Sequence, residues 1–247
     1  MRRWAPLVTI LVVCAAIVSS FAGRGGSQRT LSRYVTPLGE RMENQRHNAI
    51  LCLKELDGTV IAPGAEFSFN KAVGSWSRDK GYRRAPVSFG GMLVDSWGGG
   101  VCQTSSTLYN TALLAGMEIE ERHRHHYAPT YIAPGRDAAV AFPNIDLRFR
   151  NPYDFPVTIV GKVTPTGIQI DLVGDGGPVK PVEIVQRVAG ITQPADLVIG
   201  SGRFGRVRNP GHAGYSVQTY RIMDGQKELL SNDDYPVMNR IVEYKNP

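Results

Sequence analysis

Hydrophobic and polar positions alternate along most of this chain, which predicts a domain with more strand than helix. One segment differs, because apolar side chains after Cys102 recur at helical spacing and predict a helix over about 104–117. A short apolar element is predicted at 48–56 and a hairpin at 81–94, where two glycines interrupt the apolar run. The alternating segments that predict strands are 67–70, 139–142, 145–150, 155–163 and 168–173. The expected fold class is α+β.

Composition divides the chain into four regions, of which the first, residues 1–22, is described below. Residues 23–47 are polar and predict a tether, 48–175 form the main domain, and 176–247 form a small, mostly β C-terminal region. The strands expected in that last region are 182–188, 215–223 and 241–244.

The first 22 residues have the pattern of an export signal or a membrane anchor. A basic start at Arg2 and Arg3 precedes an uncharged apolar run, and the small residues around Ala22 are typical of a cleavage site. The run is also long enough to remain as an anchor. Either way we expect the domain to be exported to the cell envelope, a compartment in which cysteines can pair as disulfides.

Charge and composition exclude some function classes. The 247 residues are 42% hydrophobic and 20% charged, an ordinary globular composition, with a net charge of +6. Basic residues do not form a dense run interleaved with aromatics, which argues against nucleic-acid binding.

The most specific motif is three glycines, Gly98 to Gly100, followed by Cys102 at the start of the predicted helix. A helix N-terminus favours a thiolate, and glycines let a substrate approach closely, so this pattern favours a cysteine nucleophile. Two alternatives stay open: Cys102 fills the core, as free cysteines often do, or it pairs with Cys52 in a disulfide. We expect Cys52 to be structural.

A nucleophilic cysteine needs a base, and three histidines follow the predicted helix. If the chain returns as a strand, His123 and His125 share one face and His126 points to the other. Asp137 and Tyr131 are candidates to orient the base. A solvated basic strand, a core histidine, and zinc held by Cys102, His123 and His125 are the alternatives.

The sequence around these residues resembles the VanW family. The resemblance spans about 48–163 and is carried by the motifs Phe67-Ser68-Phe69-Asn70, Gly98 to Asn110, Glu121 to His125 and Gly135 to Ala138. The family takes its name from glycopeptide-resistance gene clusters of Gram-positive bacteria. Some VanW-domain proteins are described as cysteine-dependent L,D-transpeptidases that make 3-3 peptidoglycan cross-links.

The resemblance implies Cys102 as nucleophile and His125 as base, with His126 at a position that is often Ser in the family. We therefore expect cysteine acyl transfer on peptidoglycan stem peptides, with no cofactor. A binding module of the envelope and a thiol hydrolase that trims wall peptides are the alternatives. The residues expected to contact substrate or the oxyanion are Gly100, Gln103, Ser105, Tyr131, Arg136 and Asp137.

Overall fold

A computed structural model describes residues 28–89, 92–176 and 180–245. The helices are α1 (Glu43–Leu56), α2 (Phe69–Val73) and α3 (Val101–Leu114). The strands before the C-terminal region are β1 (Arg29–Pro37), β2 (Val60–Ile61), β3 (Glu66–Ser68), β4 (Arg84–Phe89), β5 (Met92–Trp97), β6 (Glu118–Glu121), β7 (Arg148–Arg150), β8 (Val157–Thr164) and β9 (Gly167–Gly174). The strands of the C-terminal region are β10 (Val182–Thr192), β11 (Asp196–Ile199), β12 (Phe204–Asn209), β13 (Gly214–Met223), β14 (Gln226–Tyr235) and β15 (Arg240–Lys245). This strand-rich architecture confirms the α+β class.

Helix α3 lies at the centre of the main domain. It packs against α1, against strands β1 and β9 of an antiparallel sheet ordered β1-β9-β8-β2, and against β10 of the C-terminal region. The core around it contains large apolar side chains such as Leu108, Leu113, Phe149 and Ile170, all fully buried. The start of α3 is therefore held rigidly by elements on several sides.

The many polar side chains of α3 are buried because they find partners inside the helix. Hydroxyls of Ser106, Thr107 and Thr111 each donate to the carbonyl four residues earlier, at 2.7, 2.7 and 2.8 Å. A buried hydroxyl without a partner would cost free energy, and these bonds remove that cost. The helix can thus be buried all round although its sequence is rich in Ser and Thr.

The tether expected at 23–47 is wrong for the part that the structure describes. Residues Arg29–Pro37 form β1, paired antiparallel with β9, and Glu43 begins α1. The inward side chains of β1 include Ser32 and Thr36, which bond the Thr111 carbonyl and the Thr107 hydroxyl of α3 at 2.7 Å each. These inward residues are small and polar, so the strand has no clear apolar alternation and its sequence suggests a loop.

The other sequence predictions hold in outline. The hairpin is β4 paired with β5, and α3 begins at Val101 instead of near residue 104. Only 66–68 of the segment around Phe67 is strand, since α2 begins at Phe69. In the segments predicted at 139–142 and 145–150, β7 covers 148–150, and Ala139, Ala141 and Ile145 form isolated bridges.

The C-terminal region is mostly β, as predicted, and forms two sheets ordered β10-β13-β14 and β11-β15-β12. Strands β11, β12 and β14 were not predicted. The first two are almost entirely exposed, so burial imposes little apolar pattern on them. The N-terminal signal or anchor lies outside the described residues, and no helix within them is long and apolar enough to cross a membrane.

Candidate active site

The glycine elbow before α3 exists because two chain segments meet there without room for a side chain. Gly98 and Gly100 have φ of +79° and +114°, values that favour glycine. A Cβ on Gly100 would lie 2.2 Å from the carbonyl oxygen of Gln45 in α1. Gly100 therefore lets α1 pack directly against the start of α3, and Cys102 becomes the second residue of that helix.

Among the residues described, the hydrogen bonds at this helix start leave the backbone N–H of Cys102 free beside its own thiol. The N–H groups of Val101 and Gln103 donate to the carbonyls of Gly98 and Gly100, at 3.0 and 3.1 Å. The N–H of Cys102 itself has no hydrogen-bond partner within the described ranges. It is thus the backbone donor best placed to bind an oxyanion formed on a carbonyl that Cys102 attacks.

Cys102, His125 and Asp137 form a chain of polar contacts. Asp137 Oδ2 accepts from the backbone N–H of His125 at 2.7 Å and lies 2.6 Å from its Nδ1. With Nδ1 held in this way, Nε2 is left for the thiol of Cys102, which interacts with His125 and also donates to the Val140 carbonyl at 3.4 Å. The side chain of His125 is 15% exposed and that of Asp137 is fully buried. This is the nucleophile, base and orienting acid of a thiol enzyme.

The electrostatics favour a charged pair of thiolate and imidazolium. Enclosure by protein opposes ionisation of Cys102, but the hydrogen bond and charge of His125 outweigh it, so the thiol pKa lies below its usual range. Burial opposes the charge on His125, but hydrogen bonds with Asp137 and Cys102 raise its pKa. Asp137 is buried too, yet His125 and Arg122 lower its pKa to about 2. All three shifts favour the ionised forms.

Asp137 is held in turn by residues that sequence analysis missed. Arg122 donates to Asp137 Oδ1 at 2.9 Å and pairs with both oxygens of Asp233 at 2.7 and 2.8 Å. The hydroxyl of Tyr235 also donates to Asp137 Oδ1 and accepts the N–H of Gly135. Asp233 and Tyr235 belong to β14, so the C-terminal region supports the site from behind. In the sequence, the sole indication of this role is that Asp233 and Tyr235 are two positions apart and so lie on one face of a strand.

Two residues expected to contact the oxyanion are placed in the interior. The amide of Gln103 donates to Thr36 and to the carbonyl of Pro37, at 3.1 and 2.7 Å, and so anchors β1. Ser105 is fully buried, and its hydroxyl is 2.6 Å from the Ala138 carbonyl. Both side chains are thus held by protein partners, which leaves neither of them free to bind an oxyanion.

Tyr131 lies beside the nucleophile, and Arg136 does not. The hydroxyl of Tyr131 donates to the Cys102 carbonyl at 3.1 Å, so it braces α3 and does not orient His125. Arg136 bonds the side chain of Asn110, two turns along α3, and its guanidinium lies over the ring of Tyr34. Its role as a contact of the reacting centre is therefore not supported.

The positions of His123, His126 and the two cysteines decide between the roles that the sequence left open for them. Strand β6 ends at Glu121, so His123 does not share a strand face with His125; it is half-exposed and bonds Glu121 at 2.9 Å. His126 is exposed, with its ring against Tyr127. Within the described residues no three potential ligands are grouped to hold a metal, and Cys52 and Cys102 are both free thiols. The described residues therefore support neither a Cys52–Cys102 disulfide nor a zinc site built from Cys102, His123 and His125.

Comparison with known proteins assigns the family. The family model described as "VanW like protein" matches residues 44–173, which include every member of the Cys102 chain of contacts. The chain belongs to the VanW family.

Two curated relatives share this part of the chain. "Uncharacterized protein YoaR" of Bacillus subtilis (strain 168) is 41% identical over 136 residues, which are 55% of this chain and 45% of the relative. "Vancomycin B-type resistance protein VanW" of Enterococcus faecalis (strain ATCC 700802 / V583) is 33% identical over 118 residues, 45% of this chain and 42% of the relative. The matched part thus spans less than half the length of each relative.

One solved structure also matches, over a small part of the chain. It is described as "Crystal structure of HP0197-G5", is 19% identical and covers 26% of this chain and 97% of the solved one, with a TM-score of 0.16. A similarity that low carries no argument about fold or function.

Proposed function

We propose that this VanW-family protein is a cell-wall enzyme that uses Cys102 for acyl transfer on peptidoglycan stem peptides. The observation that carries the proposal is the chain from Cys102 through His125 to Asp137 at a helix N-terminus. A merely structural cysteine needs neither a basic partner nor a lowered pKa. The printed name of the Enterococcus faecalis relative connects that protein with vancomycin resistance, which supports a role at the cell wall.

The first half-reaction forms a thioester. The Cys102 thiolate attacks a peptide carbonyl carbon of the donor stem, and the carbonyl electron pair moves onto oxygen, which the Cys102 N–H stabilises. When this intermediate collapses, the C–N bond breaks and the leaving amine takes the proton of the His125 imidazolium. The products are a thioester at Cys102 and the released C-terminal amino acid, with His125 neutral.

The second half-reaction transfers the acyl group to an amine of another stem. His125 removes a proton from the amine as its nitrogen attacks the thioester carbon, and the C–S bond breaks to restore the thiolate. Asp137 keeps the imidazole in the orientation and tautomer that both steps require. An acceptor amine on the third residue of a stem would give the 3-3 cross-link of an L,D-transpeptidase, whereas water as acceptor would give a hydrolase.

Export to the envelope is part of the proposal, since the substrate lies outside the cytoplasm. It is supported by the uncharged apolar run in the first 22 residues. The test is protease treatment of intact spheroplasts, in which we expect the domain to be degraded. Protection of the domain would contradict export.

The activity is tested with purified protein and a tetrapeptide-stem donor. Intact-mass spectrometry should detect a thioester on the wild type and on Cys52→Ala, but none on Cys102→Ala. Muropeptide analysis of treated cell wall then separates cross-linked products from trimmed ones. If the wild type never acylates, the proposal fails and the binding-module alternative gains support.

A further inference from the structure

Arg41 lies between β1 and α1, outside the residues that the family model matches, and is bound to two residues at the nucleophile. Its Nε donates to Gln103 Oε1 at 2.9 Å, and its guanidinium carbon is 4.5 Å from the centre of the Tyr131 ring. Gln103 follows Cys102 in α3, and the Tyr131 hydroxyl donates to the Cys102 carbonyl at 3.1 Å. Both anchors therefore hold the Arg41 guanidinium beside the start of α3.

The terminal nitrogens of this guanidinium have no protein partner among the residues the structure describes. The comparison with Arg122 is informative, because that partly buried arginine pairs with two carboxylates, Asp137 and Asp233. Arg41 is also partly buried, and a cation in that setting normally has a counter-charge. Burial lowers the pKa of Arg41, and the negative charge of an ionised Cys102 acts on it in the opposite direction.

An arginine fork with its outer face open is suited to a carboxylate, which it can bind through two parallel hydrogen bonds. The stacked ring of Tyr131 and the bond to Gln103 fix the fork in advance, so little side-chain entropy is lost on binding. A carboxylate on the residue after a scissile peptide bond lies three bonds from the attacked carbon, roughly 4 Å away. A group beside Cys102 is at the right distance to hold it.

We propose that Arg41 binds the free C-terminal carboxylate of the donor peptide, so that the site accepts acyl donors with a single residue beyond the scissile bond. This inference rests on the proposed function, in which the donor loses one C-terminal amino acid, and it adds the residue that selects this donor. A donor that continues further would place an amide at Arg41 and leave the cation without a counter-charge. Arg136, the arginine that the sequence favoured, is bonded to Asn110 instead.

The test measures binding without chemistry. A full chain carrying Cys102→Ala is titrated by calorimetry with a tetrapeptide stem and with the same peptide as its C-terminal carboxamide. We expect the acid to bind roughly 10- to 100-fold more tightly, as hydrogen bonds to a charged group imply. Adding Arg41→Gln should abolish this preference, and adding Arg41→Lys should retain part of it.

The matched control is Arg46→Gln, which removes the same charge from an exposed position of α1. This variant should keep the full preference for the acid, and thermal melting should show that each variant is folded. Equal binding of acid and amide, or no binding of either at millimolar concentration, would overturn the inference. Preference for the acid that survives Arg41→Gln would overturn it as well.

The outcome is separable from that of the proposed function. If wild-type protein forms thioesters equally fast from acid and amide donors, acyl transfer stands and the role of Arg41 is wrong. If Cys102→Ala prefers the acid through Arg41 but wild-type protein never acylates, the carboxylate site stands and acyl transfer is wrong.

Discussion

The two cysteines of the main domain lie on neighbouring helices and have opposite properties. Cys52, in the middle of α1, is fully buried, and burial followed by the negative charge of Glu55 raises its pKa well above the usual range. Cys102, at the start of α3, is partly exposed, and the same effect of enclosure is outweighed there by His125. Each thiol is thus surrounded by protein, yet the pKa of Cys52 is raised and that of Cys102 is lowered.

This difference in pKa shows that a neighbouring cation, and not the degree of burial, decides how readily each thiol ionises. Enclosure raises the pKa of both thiols, since it always disfavours the charged form. A cation within hydrogen-bond reach reverses the sign at Cys102. At Cys52 the hydroxyls of Tyr82 and Thr104 lower the pKa, but they do not compensate for burial. The predictions below test this contrast, from the largest expected effect to the smallest.

Replacing the two thiols separately should give the widest contrast. Cys102→Ala should abolish thioester formation, because it removes the nucleophile itself. Cys52→Ala should leave the acylation rate within a few-fold and lower the free energy of unfolding by about 1 kcal/mol, through loss of packing in the core. The measurements are intact-mass kinetics and urea denaturation. If Cys52→Ala lost acylation and Cys102→Ala kept it, Cys52 would be the nucleophile and the assignment of Cys102 would be wrong.

Removing His125 should make the Cys102 thiol as unreactive as an ordinary thiol. We expect His125→Ala to slow acylation by on the order of 100- to 10,000-fold, the usual cost of losing a general base. His123→Ala and His126→Ala are the controls, and both should stay within a few-fold because these side chains are exposed. Stopped-flow acylation gives the rates. Slow acylation by His126→Ala together with normal acylation by His125→Ala would mean that His126, and not His125, is the base.

The pH dependence of alkylation reads the thiol pKa directly. Because the pKa of Cys102 is lowered, its thiolate persists as pH falls below about 8.5, the ordinary thiol value, and is lost only below the lowered pKa. We therefore expect iodoacetamide to label Cys102 at pH 6, and Cys52 only after unfolding. In His125→Ala the rate at pH 6 should fall by about 100-fold or more, to the level of an unassisted thiol.

Peptide mass spectrometry of protein labelled between pH 5 and pH 10 provides this profile. A wild-type rate for Cys102 that rises only above pH 8.5 would show an ordinary thiol. The contrast between the two cysteines would then be one of accessibility alone.

The smallest expected effect tests the C-terminal region. Tyr235→Phe removes the hydroxyl that β14 donates to Asp137, and we expect a loss of roughly tenfold in acylation rate, as for one hydrogen bond to a charged group. Tyr244→Phe, on β15, is the matched control and should have no effect. Equal acylation rates in Tyr235→Phe and Tyr244→Phe would show that the region is merely attached to the main domain.

Sequence reasoning went furthest where a local pattern has one physical meaning. The run from Gly98 to Cys102 predicted a tight turn into a helix, and the structure has that turn at the predicted place. Alternation predicted β8 and β9, in which the alternate apolar residues Ile159, Ile168, Ile170 and Leu172 are fully buried. It failed at β1, whose inward residues Ser32 and Thr36 are polar and are satisfied by α3.

The sequence by itself determined the family, the α+β class and the candidate nucleophile, because glycine conformation and side-chain period are local properties. The tertiary structure supplied the physical reason that sets His125, the histidine that the family resemblance favours, apart from His123 and His126, because Asp137 holds its ring. It also decided that Gln103 faces inward and that Arg41 and Tyr235 reach the site from opposite ends of the chain. Such contacts depend on how distant segments pack, and no local pattern records them.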